Sequence, residues 1–383
     1  MKITDVRAYA LKTPLEVPFA FSQGWVDQRG ATLVEIETDA GITGWGEALC
    51  NGLQPPEIAA SVVASALKPL LVGSDPRDIE VLWQRMYNRV RDFGSKGVTI
   101  YAISGVDIAL WDILGQSVGL PVWRLLGGAF RERVQVYATG FYRISGQGEA
   151  KRLVEEAEQR AREGFRAMKI KLGFGVEDDI AVMQAIAHAM QGREVTLMVD
   201  TNHAYGLAEA MRLGRALEAF DLRWYEEPVV ADDLDGYRAL RAALHIPIAG
   251  GEGEYTVRGF RDLAQGRAVD IAQPDIASAG GFTACRQIVT ICHANGIQVN
   301  PHVWGSSISQ AASLHLFAAL PRAHHSLFPQ EPIFEYDCSA HPFRTKLVRA
   351  PLLHEDGWLS LPQGAGLGIE VDREAVRRFA QPF

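Results

Sequence analysis

Three carboxylates recur at an interval of 26 residues: Asp200 in LMVDTN, Glu226 in RWYEEP and Glu252 in IAGGEGE. Each closes a short apolar run and precedes a helix-like stretch. An interval of one strand plus one helix, repeated, is how a parallel barrel gathers the ends of successive strands on its catalytic loop face. Three acidic oxygen donors with no Cys or His among them suit a hard divalent cation such as Mg²⁺. Singly, each carboxylate would read as a helix N-cap or a surface charge. Their equal spacing and shared strand-end position argue for a metal site.

Basic groups sit in the neighbouring runs. Lys169 and Lys171 in AMKIKL are i and i+2, so on a strand both point into the barrel mouth. Two confined ammonium groups repel, which lowers one pKa toward that of a usable general base. Asp275 (QPD) and His302 (NPH) end the next two runs, 27 residues apart. Adjacent strand ends can set the Asp against one ring nitrogen, fixing the tautomer and raising the basicity of the other. Glu335 in IFEYD closes an eighth position, as a protonated hydrogen-bond donor or an exposed acid, with Glu331 as its competitor. Strand alternation turns Glu227 away from Glu226.

The elements that must position these residues are legible in outline. The runs VQVYAT, AMKIKL, TLMVD, LRWYEE, PIAGGE, DIAQPD and IQVNPH alternate with helical patterns such as 148–163, 178–190, 207–219 and 282–294. This rhythm predicts an α/β fold, a TIM-type barrel over residues 128–349. Before it, strands at Ile3–Leu11, Thr32–Thr38 and Thr43–Glu47 lead into helical periodicity from about Pro56 to Val118, predicting an α+β domain over 1–127. The segment 350–383 returns to strand and turn character, too short for a domain, and should pack back on the first one. The most apolar window, 98–115, contains Asp107 and Asp112 and reads as a buried helix rather than a membrane span.

Composition excludes several functions. The net charge is −8 with no Lys/Arg tract, which disfavours nucleic acid and anionic membranes as partners. The N-terminus lacks a signal-peptide pattern, and Cys50, Cys285, Cys292 and Cys338 form no CxxC pair, so a cytoplasmic protein with reduced thiols is expected. Cys285 and Cys292, seven apart on one helix, read as packing. No GxSxG or HExxH occurs, and Gly280-Gly281 reads as a turn rather than a phosphate cradle. His245, His293 and His324-His325 fit surface turns or helix faces.

Taken together, GWGEA, SGVDIALWDI, LLGG, KIK, DTN, EEP, GGE, QPD, PHVWG, EYD and GLGIEVD resemble the enolase superfamily, in its mandelate racemase subgroup. The resemblance spans essentially the whole chain. It implies a modified (β/α)₇β barrel under a capping domain built from both termini, and one Mg²⁺ on Asp200, Glu226 and Glu252. It further implies Lys171 and the His302–Asp275 dyad as bases on opposite faces of a small carboxylate substrate. Lys169 would tune Lys171, Asn202 would lie near metal and substrate, and Glu335 would be the electrophilic glutamate. Trp304 in PHVWG and the cap residues Phe19 and Trp25 would contact the distal part of the substrate. PHVWG and PQEPIFEYD are closer to acid-sugar enzymes than to mandelate racemase itself. The implied chemistry is proton abstraction α to a carboxylate, then β-elimination in a lactone cycloisomerase or acid-sugar dehydratase. A racemase or epimerase of a non-sugar acid, for which Phe19, Phe21 and Trp25 would form an apolar pocket, is the alternative; a non-catalytic binding barrel is a remote one. Homo-oligomers are common for this fold.

Overall fold

The first two strands, β1 (Ile3–Phe21) and β2 (Gly24–Thr38), form one antiparallel hairpin much longer than their apolar runs suggest. Pro14 and Pro18 lack an N–H, and the register slips between Pro14 and Phe19, which removes the alternation that would reveal the strand. The computed structural model describes residues 1–50, 52–322 and 326–383, so the expectation for His324-His325 lies outside the described residues. The hairpin tip, Ser22-Gln23, reaches the barrel mouth. There Ser22 Oγ donates to the Thr201 carbonyl (2.8 Å) and Gln23 Nε2 to the Asn202 carbonyl (2.6 Å). Strand β3 (Thr43–Ala48) extends the sheet beyond β2.

The Val98–Val118 helix packs on β3 because the facing positions lack side chains. A β-carbon on Gly46 would lie 1.9 Å from the Gly105 carbonyl oxygen and 2.9 Å from the Ala109 nitrogen. Gly46→Ala is therefore expected to destabilise the chain by about 3 kcal/mol, the upper range for overpacking. A denaturation midpoint equal to that of the unaltered protein would show that the helix can move aside cheaply. Among the described residues this helix alone is long and apolar enough to cross a membrane, and it is buried within the protein.

The second sheet is parallel: β4 (Arg133–Thr139), β5 (Ala167–Lys171), β6 (Thr196–Asp200), β7 (Tyr225–Glu226), β8 (Ile248–Gly250), β9 (Ile271–Ala272), β10 (Gln298–Val299) and β11 (Phe334–Asp337). The strands neighbour one another in the order β10-β9-β8-β7-β6-β5-β4-β11. The remaining seam, between β10 and β11, is bridged by a side chain. Asn300 Nδ2 donates to the Ile333 carbonyl (3.0 Å), and the Ile333 N–H donates to Asn300 Oδ1 (2.9 Å). A primary amide offers the donor and acceptor of a peptide group, so it can stand in for a ladder pair. Below the polar residues the barrel interior holds a plug of Tyr137, Ala167, Met198, Trp224, Ala249, Ile271 and Ile333.

The segment after Ala350 serves both sheets, not the first alone. Strand β12 (Trp358–Ser360) pairs antiparallel with Arg133–Gln135, whereas the recorded pairs of β4 with β5 and β11 begin at Val136 or later. It thus covers a sheet edge whose backbone groups would otherwise lack partners. Strand β13 (Ala380–Gln381) joins the first sheet at Ala10 and Leu11.

Two buried carboxylates from the first sheet and its helices dock onto barrel helices. Glu47 on β3 accepts hydrogen bonds from the Ser306 N–H, Ser306 Oγ and Ser309 N–H at 2.5 to 3.1 Å, at the N-terminus of the Ser307–Ala319 helix. Asp107 accepts from the Thr283 N–H (3.0 Å) and Oγ1 (2.6 Å), beside the N-terminus of the Gly281–Ala294 helix. Unpaired N–H groups and the helix dipole favour a negative charge at both places. The donors that a bound anion would need are taken: Asp107 accepts those of Thr283, and the Gly280 and Gly281 N–H groups donate to Ser104 Oγ (2.8 Å) and the Ile276 carbonyl (3.2 Å). All four cysteines are free; Cys285 and Cys292 are buried on the Gly281–Ala294 helix.

Candidate active site

The sequence-predicted charged residues converge at one end of the barrel because each follows from strand alternation or from the loop just past a strand. Lys169 and Lys171 project inward from β5, and Asp200 and Glu226 are the last residues of β6 and β7. Glu252 follows β8 by two residues, across Gly251, whose φ of +123° turns the chain in a way that a β-carbon would strain. Oxygens of Asp200, Glu226 and Glu252 lie within 4.8 Å of one another, and this trio is the potential metal-holding group found among the described residues.

Around the trio the partners are specific. Lys171 Nζ donates to Asp200 Oδ2 (2.5 Å) and Asn202 Oδ1 (2.9 Å), and lies 5.9 Å from the centre of the Tyr142 ring. Lys169 Nζ donates to Glu226 Oε1 (2.6 Å) and lies 2.9 Å from Glu335 Oε1. His302 Nδ1 is 2.7 Å from Asp275 Oδ2, and its Nε2 is 3.2 Å from Glu252 Oε2. The second Asp275 oxygen accepts the Ala277 N–H at 2.7 Å, which holds the carboxylate in line with the ring. Glu335 also accepts from Thr139 Oγ1 (2.7 Å) and the Val303 N–H (3.0 Å). Glu331, its competitor in the sequence, pairs instead with Arg131 (2.9 Å) and Arg322 (2.6 Å), away from this cluster.

Electrostatics corrects two expectations. The repulsion between Lys169 and Lys171 does not lower either pKa here. Burial opposes charge at Lys171, but the Asp200 carboxylate outweighs it and raises the pKa. Lys169 is likewise raised, its burial offset by Glu226 and Glu335. Nor is Glu335 held protonated, because Lys169 and His302 overcome its burial and keep it well below the usual carboxylate range. Considering the two lysines alone left out the acids facing them.

The carboxyl set fits a divalent cation. Five buried or nearly buried carboxyl groups, Asp200, Glu226, Glu252, Asp275 and Glu335, share this space with Lys169, Lys171 and His302, so acidic groups outnumber basic ones. Burial pushes Glu226 up to about 7 and Glu252 up to about 8, the latter aided by the Glu227 charge. Glu252 Oε2 is buried with no aligned hydrogen-bond donor, although His302 Nε2 lies 3.2 Å away. An orphaned carboxylate oxygen in an acidic, oxygen-lined space is what a hard cation would satisfy.

Above the trio a cavity of about 270 Å³ is lined by Lys171, Asn202, Glu252, His302 and Trp304, together with residues of the hairpin tip and the segment 52–54. Trp304 Nε1 donates to Tyr142 Oη (2.9 Å). The two cap residues expected to touch substrate do not line this cavity. Phe19 stacks behind it on Tyr142 (4.3 Å between ring centres) and under the Arg29 guanidinium, and Trp25 is 53% exposed. Both belong to the hairpin: Trp25, paired with Ala20, is on the opposite face, and Phe19 shares the face of Phe21, but it is Phe21, two residues nearer the tip, that lines the opening.

Sequence reasoning missed several participants. Gln273 Nε2 and Trp224 Nε1 each donate to Glu226 Oε2 at 2.8 Å, orienting the ligand; both lie beside motif residues, QPD and RWYEEP, and could have been found by alternation. His203 also lines the cavity, with Glu227 behind it at 3.1 Å. The Glu227 charge outweighs the burial of the ring and raises His203 to about 9.

Known proteins are similar to this chain in sequence and fold. Residues 3–127 match the model of the mandelate racemase / muconate lactonizing enzyme N-terminal domain, and residues 152–375 match the enolase C-terminal domain-like model. The chain is 42% identical over 382 residues to a D-galactarolactone cycloisomerase of Agrobacterium fabrum, covering all of both proteins. It superposes on the 3,6-anhydro-D-galactonate cycloisomerase of Zobellia galactanivorans with a TM-score of 0.89 at 37% identity, again over all of both chains. A racemase from Streptomyces coelicolor with bound magnesium gives a TM-score of 0.88 at 30% identity, covering 99% of this chain and 100% of that one. With family models matching most of its length and a curated relative this similar end to end, the chain belongs to the mandelate racemase / muconate lactonizing enzyme family of the enolase superfamily.

Proposed function

We propose that this protein removes the proton α to a carboxylate of an acid sugar or its lactone, with one Mg²⁺ per site, and then expels the β-oxygen. The activity is that of a cycloisomerase or a dehydratase. The observation that carries the proposal is the pairing of two candidate bases, Lys171 and His302 with its partner Asp275, on one cavity that meets the acidic trio at Glu252. The similarity to cycloisomerases acting on a lactone and on an anhydro sugar acid supports the substrate class.

Such a proton is too weakly acidic for an isolated amine or imidazole, so the negative charge of the enediolate must be stabilised by groups already in place. Mg²⁺ on Asp200, Glu226 and Glu252 would supply Lewis-acid stabilisation of that charge. Lys169, held by Glu226 and Glu335, places a fixed ammonium charge at the same end of the barrel. Lys171 takes the α-proton of one epimer, while His302, fixed in tautomer by Asp275, serves the opposite face. Gln23 and Gln54 at the cap side of the cavity offer hydrogen bonds to sugar hydroxyls, which favours an acid sugar over an apolar acid.

The test is ¹H NMR in D₂O with Mg²⁺ over aldonic and aldaric acids, their lactones and anhydro derivatives, with aryl and amino acids alongside. Loss of the α-proton signal together with a new keto-deoxy product is the expected result. Deuterium uptake with the carbon skeleton unchanged would point to a racemase instead. No exchange with any member of the panel would sink the proposal.

A further inference from the structure

His203 sits on the cavity wall beside Asn202, Lys171 and Glu252, and the proton transfers described above leave it idle. Asn202 and His203 on this wall, and Glu227 behind it, have φ of +42°, +53° and +44° although none is glycine. That left-handed backbone is strained for residues with a β-carbon and persists where the surroundings enforce it, often at functional sites. Here cross-strand bonds enforce it. The His203 N–H (2.8 Å) and Thr201 Oγ1 (2.8 Å) both donate to the Glu227 carbonyl.

The consequence is that the Glu227 side chain stands behind the imidazole. His203 Nδ1 is buried and lies 3.1 Å from Glu227 Oε2. Glu227 is fully buried, and neither of its carboxylate oxygens has an aligned hydrogen-bond donor. A buried carboxylate with no partner is costly. Beside a histidine that reaches a cavity, it can hold the ring with Nδ1 protonated and inward.

The geometry points to His203 as a third acid–base group, which donates a proton from Nε2 to the oxygen leaving the β-carbon of the substrate. This inference rests on the elimination reading proposed above. Lys171 or His302 accepts the α-proton, and the electrons of the broken Cα–H bond form the Cα=Cβ double bond. The Cβ–O bond breaks with its electron pair on oxygen, and that oxygen takes the His203 proton. One proton enters the base and one leaves His203, so the enzyme's proton count is unchanged. The released enol then ketonises with solvent protons. A hydroxyl or ring-ether oxygen departs as a strong base and needs this proton, whereas a lactone's acyl oxygen departs as a carboxylate and does not.

The test uses the full-length protein with Mg²⁺ in D₂O and follows α-deuterium uptake and product formation together. His203→Gln is expected to slow elimination of a hydroxyl or ether oxygen by about 10²-fold or more. It should keep α-exchange within a few-fold and lower lactone opening by less than about 10-fold. Glu227→Gln, which retains the side-chain shape, should slow the same step by about 10-fold. Joint loss of exchange and elimination in His203→Gln would mark a structural residue and overturn the inference, as would elimination at the wild-type rate. A wild-type protein that neither exchanges nor eliminates would overturn the elimination reading itself, a result distinguishable from both.

Discussion

Lys171→Ala is expected to lower turnover by about 10³-fold or more, and His302→Asn by a comparable factor, because each removes a base that is in place before the reaction starts. The two losses should differ in kind. If the bases serve opposite faces, each variant still exchanges the α-proton of the epimer presented to the surviving base. Asp275→Asn should cost less, about 10- to 100-fold, since it leaves the imidazole in place and removes only the partner 2.7 Å from Nδ1. Lys171 is tied to Asp200 in the structure, which raises its pKa. With the Asp200 charge taken up by a divalent cation, burial and the Lys169 ammonium, which both lower it, count for more. Deuterium exchange measured separately on two epimeric substrates checks the prediction. Wild-type exchange of both epimers by both variants would place the bases elsewhere.

Removal of divalent cations should abolish α-proton exchange altogether, with restoration by Mg²⁺ but not by monovalent salt. The expected effect is at least as large as loss of a base, because without the cation the five carboxyl groups outnumber Lys169, Lys171 and His302 and oppose a further negative charge on the substrate. Binding can be read without activity. A ligand that binds only the folded state stabilises it by about 2.7 kcal/mol at a concentration 100 times its Kd. Thermal melting should therefore rise with Mg²⁺ in the wild-type protein and stay flat in Glu252→Gln, which neutralises the ligand carrying the orphaned oxygen. An unchanged melting curve in the wild-type protein would remove the cation from the proposed function.

The barrel and most of the charged site were legible before any coordinates. Lys169 and Lys171 share a face because side chains alternate along a strand. Asp200, Glu226, Asp275 and His302 lie at or just past strand ends because one βα unit sets the interval between them. These are local regularities, so the chain itself records them. The choice between Glu335 and Glu331 was not legible. Both lie near the eighth strand, and what separates them is a contact with Lys169, 166 positions away, as against Arg131 and Arg322.

The cap was harder still. Trp25 and Phe19 were natural candidates by composition, but the docking of the hairpin tip on the Thr201 and Asn202 carbonyls decides which side chains reach the cavity, and it admits Phe21, beside that tip. The sequence alone determined a parallel barrel with an acidic trio, the two lysines and the His302–Asp275 pair at one end, since periodicity and spacing act over one strand and one helix. Only the tertiary structure decided the pairing of Glu227 with His203, the Asn300 bridge across the last seam and the protonation imposed on the two lysines. Each of those depends on positive φ angles, on a contact across the barrel or on the summed field of distant carboxylates, and none of these leaves a local pattern in the chain.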